Sequence, residues 1–152
     1  MKEEKRFRIH AAVFLILERD EKLLLIRRYN TNYMNGYYTT IAGHLDGDES
    51  STDAVIREAK EEAGVIVSPE DVSFAYVMHR YHPTREYIDM YFVASSWQGT
   101  PKNMEPEKAD DMQWFDKHNL PENMVPEIRV ALEEIKKGNH YGEYGWNNNN
   151  VS

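Results

Sequence analysis

Apolar positions recur along this chain in two rhythms. From Phe7 to Leu17 and from Lys22 to Arg28 the chain is dense in Val, Ile, Leu and Phe, and the charged stretch Arg19-Asp20-Glu21 between them reads as a turn joining two strands. Tyr37 to Ala42 is a shorter predicted strand. Val72 to His82 and Tyr87 to Trp97 are two more, with Pro83-Thr84-Arg85 as their hairpin turn. The alternation in Tyr87-Ile88-Asp89-Met90-Tyr91-Phe92-Val93 predicts a strand with one partly polar face. Met112 to Phe115 is the last predicted strand.

The period becomes helical twice. In the first helix Val55, Ile56, Ala59 and Ala63 form an apolar stripe. Ser50, Ser51 and Thr52 offer N-caps, Asp53 stands three residues after Ser50, and Gly64 can adopt the positive φ of a helix end. The second runs from Val125 to Lys137, with Ile128, Leu132 and Ile135 inward and Gly138 as terminator. These elements predict an α/β fold with a mixed sheet between helices. No linker or internal repeat interrupts them, so residues 1–146 read as one domain and 147–152 as a frayed tail.

The first helix also carries the chemistry. Glu58, Glu61 and Glu62 fall at i, i+3 and i+4 and share one face, with Lys60 pointing away and Arg57 at the border. Like charges at this spacing destabilise an isolated helix by roughly 0.2–0.5 kcal/mol per pair. A cation should therefore sit there, and Mg²⁺ or Mn²⁺ suits carboxylate oxygens. The glutamates flank the apolar stripe, which places them at the rim of a packed core. The loop ahead, Gly43 to Glu49, adds Asp46, Asp48 and Glu49. A solvated acidic helix after a turn would leave the glycine spacing, the Arg before the first Glu and the Gly after the last unexplained.

The segment from Gly43 to Val65 resembles the Nudix box, G-x5-E-x7-R-E-U-x-E-E-x-G-U, at every fixed position: Gly43, Glu49, Arg57, Glu58, Ala59, Glu61, Glu62, Gly64 and Val65. The resemblance implies an α/β/α sandwich and a loop–helix–loop that binds Mg²⁺ or Mn²⁺ on the diphosphate of a nucleoside diphosphate linked to a moiety X, with water attacking phosphorus. It implies Glu58 and Glu62 as direct metal ligands, Glu61 as a ligand or water-orienting group, and the backbone carbonyl of Ala42 as a further ligand. Arg57 would hold Glu49 and Glu61 through charge-assisted hydrogen bonds. A fourth carboxylate from outside the box is expected, with Glu105 or Glu107 the candidates and Glu86 a third. Which carboxylate is the general base stays open.

Composition narrows the alternatives. The net charge of −8 would repel a polyphosphate unless divalent ions reversed it locally, so strict metal dependence is expected. It also argues against a binder of duplex nucleic acid, which needs a basic face. With no cysteine the chain has no disulfide, thiolate metal site or cysteine nucleophile, unlike the isopentenyl diphosphate isomerase branch of the superfamily. The polar start MKEEKRFRIH and the lack of a long apolar run predict a cytoplasmic enzyme that does not enter a membrane.

Substrate contacts are expected from Arg27 or Arg28 at the end of a strand, with Arg80 and Arg85 also able to meet phosphates. The run Tyr29 to Tyr38, rich in aromatics and amides, could stack on a base, which makes Tyr38 a candidate. Tyr81 falls where diadenosine polyphosphate hydrolases carry a tyrosine. The aromatic strip Tyr141-Gly142-Glu143-Tyr144-Gly145-Trp146 needs burial, across the domain or against a second subunit of a homodimer. The leading substrate is a nucleoside triphosphate, unmodified or oxidised. The alternatives are ADP-ribose or another nucleotide sugar, a dinucleotide polyphosphate, or a Nudix-fold nucleotide sensor without turnover. Such sensors usually lose box carboxylates, and this chain keeps them all.

Overall fold

The computed structural model describes residues 4–147. Its central strand, β1 (His10–Arg19), is buried on both faces because apolar residues occupy successive positions from Ala12 to Leu17. Val13, Leu15 and Leu17 pack against α1 (Ser51–Ala63) through Ala54, Val55, Ala59 and Ala63. On the other face Ala12, Phe14 and Ile16 share a core with Ile128, Ala131 and Leu132 of α2 (Pro126–Lys136). The result is the expected α/β/α sandwich.

The remaining strands are β2 (Lys22–Arg28), β3 (Tyr38–Thr39), β4 (Ile41–His44), β5 (Val72–His82), β6 (Arg85–Ala94), β7 (Ala109–Asp116) and β8 (Tyr141–Tyr144). β6 runs parallel to β1 along one edge, from His10↔Tyr87 to Leu17↔Ala94. The other edge of β1 is shared. Its first half pairs with β4, from Ala12↔His44 to Leu15↔Ile41, and its end turns into the hairpin with β2. β2 in turn carries β3 and β7. The sheet therefore branches along β1, and a cleft opens at the branch.

The strand expected from Tyr37 to Ala42 is split at this point. Tyr38 and Thr39 pair with β2, and the chain then crosses at Thr40 so that Ile41 onward pairs with β1. One run of apolar pattern serves both branches of the sheet. The first helix ends as expected: Ser50 Oγ accepts the Asp53 N–H at 3.1 Å, and Gly64 takes φ +69° with its N–H on the Ala59 and Lys60 carbonyls.

The aromatic strip after α2 docks across its own domain. It forms β8, parallel to β5 with register Val77↔Tyr141 to Arg80↔Tyr144. Trp146 Nε1 donates to the His79 carbonyl at 2.9 Å, and its ring packs on His79 and Tyr81. Of the expected frayed tail, 148–152 lie outside the described residues.

Candidate active site

β4 delivers Gly43 to the start of the box loop, and α1 presents its acids across from it. The approach is so close that a Cβ on Gly43 would lie 2.5 Å from Glu58 Cδ and 2.7 Å from Cγ. Only glycine leaves Glu58 where it is. Arg57 then ties the loop to the helix. Its Nε and Nη2 donate to the two carboxylate oxygens of Glu49 at 2.8 and 3.0 Å, and Nη1 donates to Glu58 at 2.8 Å and to Glu61 at 3.2 Å. The resemblance implies that Arg57 holds Glu49 and Glu61; it bonds to both and reaches Glu58 as well.

Glu58 and Glu62 face less water than Glu61. Burial pushes both carboxyls up, Glu62 well above the usual range, with Arg57 opposing the shift at Glu58 and the Ala42 N–H opposing it at Glu62. That N–H donates to Glu62 Oε2 at 3.1 Å. Leu45 N–H bonds to the Ala11 carbonyl, so by the alternation of an antiparallel ladder Ala42 turns both its N–H and its C=O away from β1. Its carbonyl therefore emerges beside the same carboxylates. Glu49 is held below the ordinary carboxylate range by the Arg57 guanidinium.

These groups line a cleft of about 720 Å³ at the sheet branch, with Gly43, Glu58, Glu61, Glu62 and Glu105 on its rim. A side pocket of about 150 Å³ continues from it, sharing Arg28, Ala42, Glu62, Glu105 and Lys108. The donor set is all oxygen, which fits a hard divalent cation. Glu62 in particular is a desolvated carboxylate beside Glu58 and Glu105, with the Ala42 amide as its neutral partner. Among the described residues no three His, Asp or Glu side chains converge at ion-binding spacing. Glu58 is engaged by Arg57 and Glu62 by the Ala42 amide.

Several expected contacts are distributed differently. Arg28 lines the cleft, whereas Arg27 points out to Asp110 at 2.7 Å. Tyr38 is buried edge-on against Phe115 with its hydroxyl donating to Asp111, so it cannot stack on a ligand in the cleft; Tyr33, from the same segment, lines it instead. Tyr81 packs on Trp146 outside the cleft. Glu105 is on the cleft wall, while Glu107 is exposed and Glu86 faces His79 at 3.4 Å.

A second wall was not anticipated as a unit. Asp89, fully buried on β6, receives Arg80 Nε at 2.5 Å and Nη2 at 3.1 Å. Arg80 places its guanidinium carbon over the Tyr87 ring, 4.0 Å from the centroid, and its Nη1 3.9 Å from Glu127 Oε1, which also accepts the Tyr33 hydroxyl at 2.9 Å. The sequence signals for this wall are Arg80, expected to meet phosphates but committed here to Asp89, and an aspartate inside a largely apolar strand. Glu127 gave none, because an acid in the first turn of a helix is ordinary.

Comparison with known proteins agrees with this architecture. The chain matches the NUDIX domain over residues 6–135. It is 31% identical over 114 residues to an NAD-capped RNA hydrolase NudC of Pseudomonas putida, covering 75% of this chain but only 39% of that protein. It is 31% identical over 133 residues to an ADP-ribose pyrophosphatase of Methanocaldococcus jannaschii, covering 86% and 77% of the two chains. The crystal structure of a MutT NUDIX hydrolase from Burkholderia pseudomallei superposes with a TM-score of 0.77 at 24% identity, over 84% of this chain and 98% of that one. With its box complete and residues 6–135 matched by the family model, this chain belongs to the Nudix family of hydrolases.

Proposed function

We propose that this Nudix pyrophosphohydrolase cleaves the pyrophosphate bond of a nucleoside triphosphate, unmodified or oxidised, in a reaction that requires Mg²⁺ or Mn²⁺. The observation that carries the reading is the pair of desolvated carboxylates, Glu58 and Glu62, on the rim of a nucleotide-sized cleft. Glu58, Glu62 and Glu61 would hold the ion, with Glu105 and the Ala42 carbonyl as further ligands. When bound, it neutralises phosphate oxygens and lowers the pKa of water near them.

The chain's own groups do the rest. Arg57 fixes Glu49, Glu58 and Glu61 against one another, so the acids are positioned before substrate arrives. Arg28 and Lys108 face the junction of cleft and side pocket, where two cations offset the acidic rim and can meet phosphate oxygens. A 150 Å³ cavity elsewhere accommodates a molecule of about benzene size. The side pocket therefore suits a phosphate group, and the larger cleft suits the nucleoside; this division favours a triphosphate.

A second reading, ADP-ribose hydrolysis, is favoured by the relative named ADP-ribose pyrophosphatase, whose similarity spans most of both chains. Phosphorus NMR of the products separates the two. Conversion of a triphosphate to monophosphate and pyrophosphate, or to diphosphate and phosphate, with ADP-ribose left intact, is the expected result. Release of AMP and ribose phosphate from ADP-ribose alone would replace the first reading with the second. Turnover in excess chelator with metal-free reagents would remove the metal from both.

A further inference from the structure

Away from the cleft, β8 ends the sheet, and among the described residues no strand pairs with its outer edge. The direction of its backbone groups follows from β5. The Val77 N–H donates to the His140 carbonyl at 2.9 Å, and Val77 stands opposite Tyr141 in the register. In such a parallel ladder Gly142 spends both its N–H and its C=O on β5. Tyr141 and Glu143, one place to either side, turn theirs outward. Their two N–H and two C=O groups form an unpaired rim, the kind of edge that templates another strand. The face beside the rim is uncovered as well. α1 packs on β1 and β4, and Phe74, Tyr81, Tyr141 and Trp146 stay 40–57% exposed around β5 and β8.

We propose that this rim binds a second copy of the chain, with the two β8 strands antiparallel and centred on Gly142, so that one sheet runs through both copies. The rim is self-complementary in that register. A two-fold axis normal to the sheet at Gly142 sets Tyr141 of one copy opposite Glu143 of the other, twice over. Both are outward-facing positions, so each pair exchanges two backbone hydrogen bonds. The residues that meet on the axis are the two glycines. They occupy the non-hydrogen-bonded position, where facing side chains come closest, and they bring none.

The side chains select this pairing over its neighbours. Within one chain the Tyr141 hydroxyl donates to Glu143 Oε2 at 2.5 Å, so the two side chains already match as donor and acceptor on one face. The axis at Gly142 repeats that match across the seam and keeps the two Glu143 carboxylates apart. An axis at Glu143 would oppose them directly, which destabilises a cross-strand pair. A register shifted by one residue would face an outward group with one already committed to β5. An unrelated strand could use the same backbone groups, but only a second copy supplies the acid opposite Tyr141 and the donor opposite Glu143 by symmetry. A two-fold seam is closed, so assembly stops at two chains.

The test is sedimentation of the whole chain at concentrations up to about 100 μM, joined to amide hydrogen exchange over the same range. Wild type is expected to reach twice the mass of one chain. The Tyr141 and Glu143 amides should gain protection as the dimer forms, while the Gly142 amide, already bonded to β5, changes little. Glu143→Pro removes an outward N–H, a place where an edge strand tolerates proline, and should leave the protein monomeric. Tyr141→Glu sets like charges opposite each other in both pairs and should weaken the dimer about tenfold. Adding Glu143→Lys to it restores opposite charges across the seam and should restore the dimer. A wild type that stays monomeric over the whole range overturns the inference and needs no folded variant. So does a dimer that Tyr141→Glu leaves unchanged, since Tyr141 is exposed in the single chain and its substitution spares the fold. Assembly beyond two chains, which a closed seam forbids, overturns it as well.

Discussion

Gly43→Ala separates the fold from the site. Gly43 lies in the extended strand β4 with no positive φ, so alanine can adopt its backbone without strain. The added Cβ would sit 2.5 Å from Glu58 Cδ and 2.7 Å from Cγ, where carbon atoms normally rest at about 3.5–4.0 Å. Glu58 must therefore withdraw by about 1 Å. Its side chain can do so by changing rotamer, at a cost of about 0.5–1.5 kcal/mol. A misplacement of about 1 Å in a reacting constellation can cost about 10²-fold in rate. Gly43→Ala should accordingly lose about two orders of magnitude in kcat/KM while its urea unfolding free energy falls by no more than about 1.5 kcal/mol. The assay pairs steady-state hydrolysis with equilibrium unfolding of the same preparation. A folded variant with wild-type kcat/KM would refute the argument that Gly43 exists to admit Glu58. Loss of the fold would show that the contact supports the core and not the site.

Three other outcomes follow from the geometry. Arg57→Lys keeps the charge but loses the fork that grips both oxygens of Glu49, so activity should drop about 10–100-fold with little change in melting temperature; full activity would mean that charge alone suffices. Glu62→Gln should be at least as stable as wild type at neutral pH without metal, by urea denaturation. Burial raises the Glu62 carboxyl, so its ionisation weakens the fold as pH rises through the ordinary carboxylate range, and the amide removes that burden; a marked loss of stability would contradict this. Glu49 has the opposite sign. Arg57 lowers its carboxyl, so its contribution is full above the ordinary value of about 4.3 and is lost as pH falls through the lowered one. Glu49→Gln should flatten the acid limb of stability against pH, and an unchanged limb would remove the pair from the account.

Much of this arrangement is legible in the sequence because it is local. The caps of α1 and the i, i+3, i+4 placement of the acids lie within one run of chain. What depends on distant contacts is not legible. The split at Thr40 arises because β1 shares one edge between two partners, which the alternation of Tyr37 to Ala42 cannot express. β8 is a strand because β5 offers it an edge and Gly142 clears the Tyr76 hydroxyl, although its own residues are half glycine and charge. Tyr38 looked like a ligand platform and is core, since Phe115 and Asp111 reach it from β7. Glu127 and Asp89 become a wall only when α2, β5 and β6 are brought together.

Whether the box carboxylates make a metal-dependent pyrophosphohydrolase is decided by a single comparison. Wild type and folded Glu62→Gln would be assayed for product release from a panel of nucleoside triphosphates, ADP-ribose, sugar nucleotides and diadenosine polyphosphates, in Mg²⁺, in Mn²⁺ and in chelator. Wild type should turn over a triphosphate only with metal present, and Glu62→Gln should lose that turnover by orders of magnitude. Equal turnover by the two proteins, or wild-type turnover that persists in chelator, would contradict it.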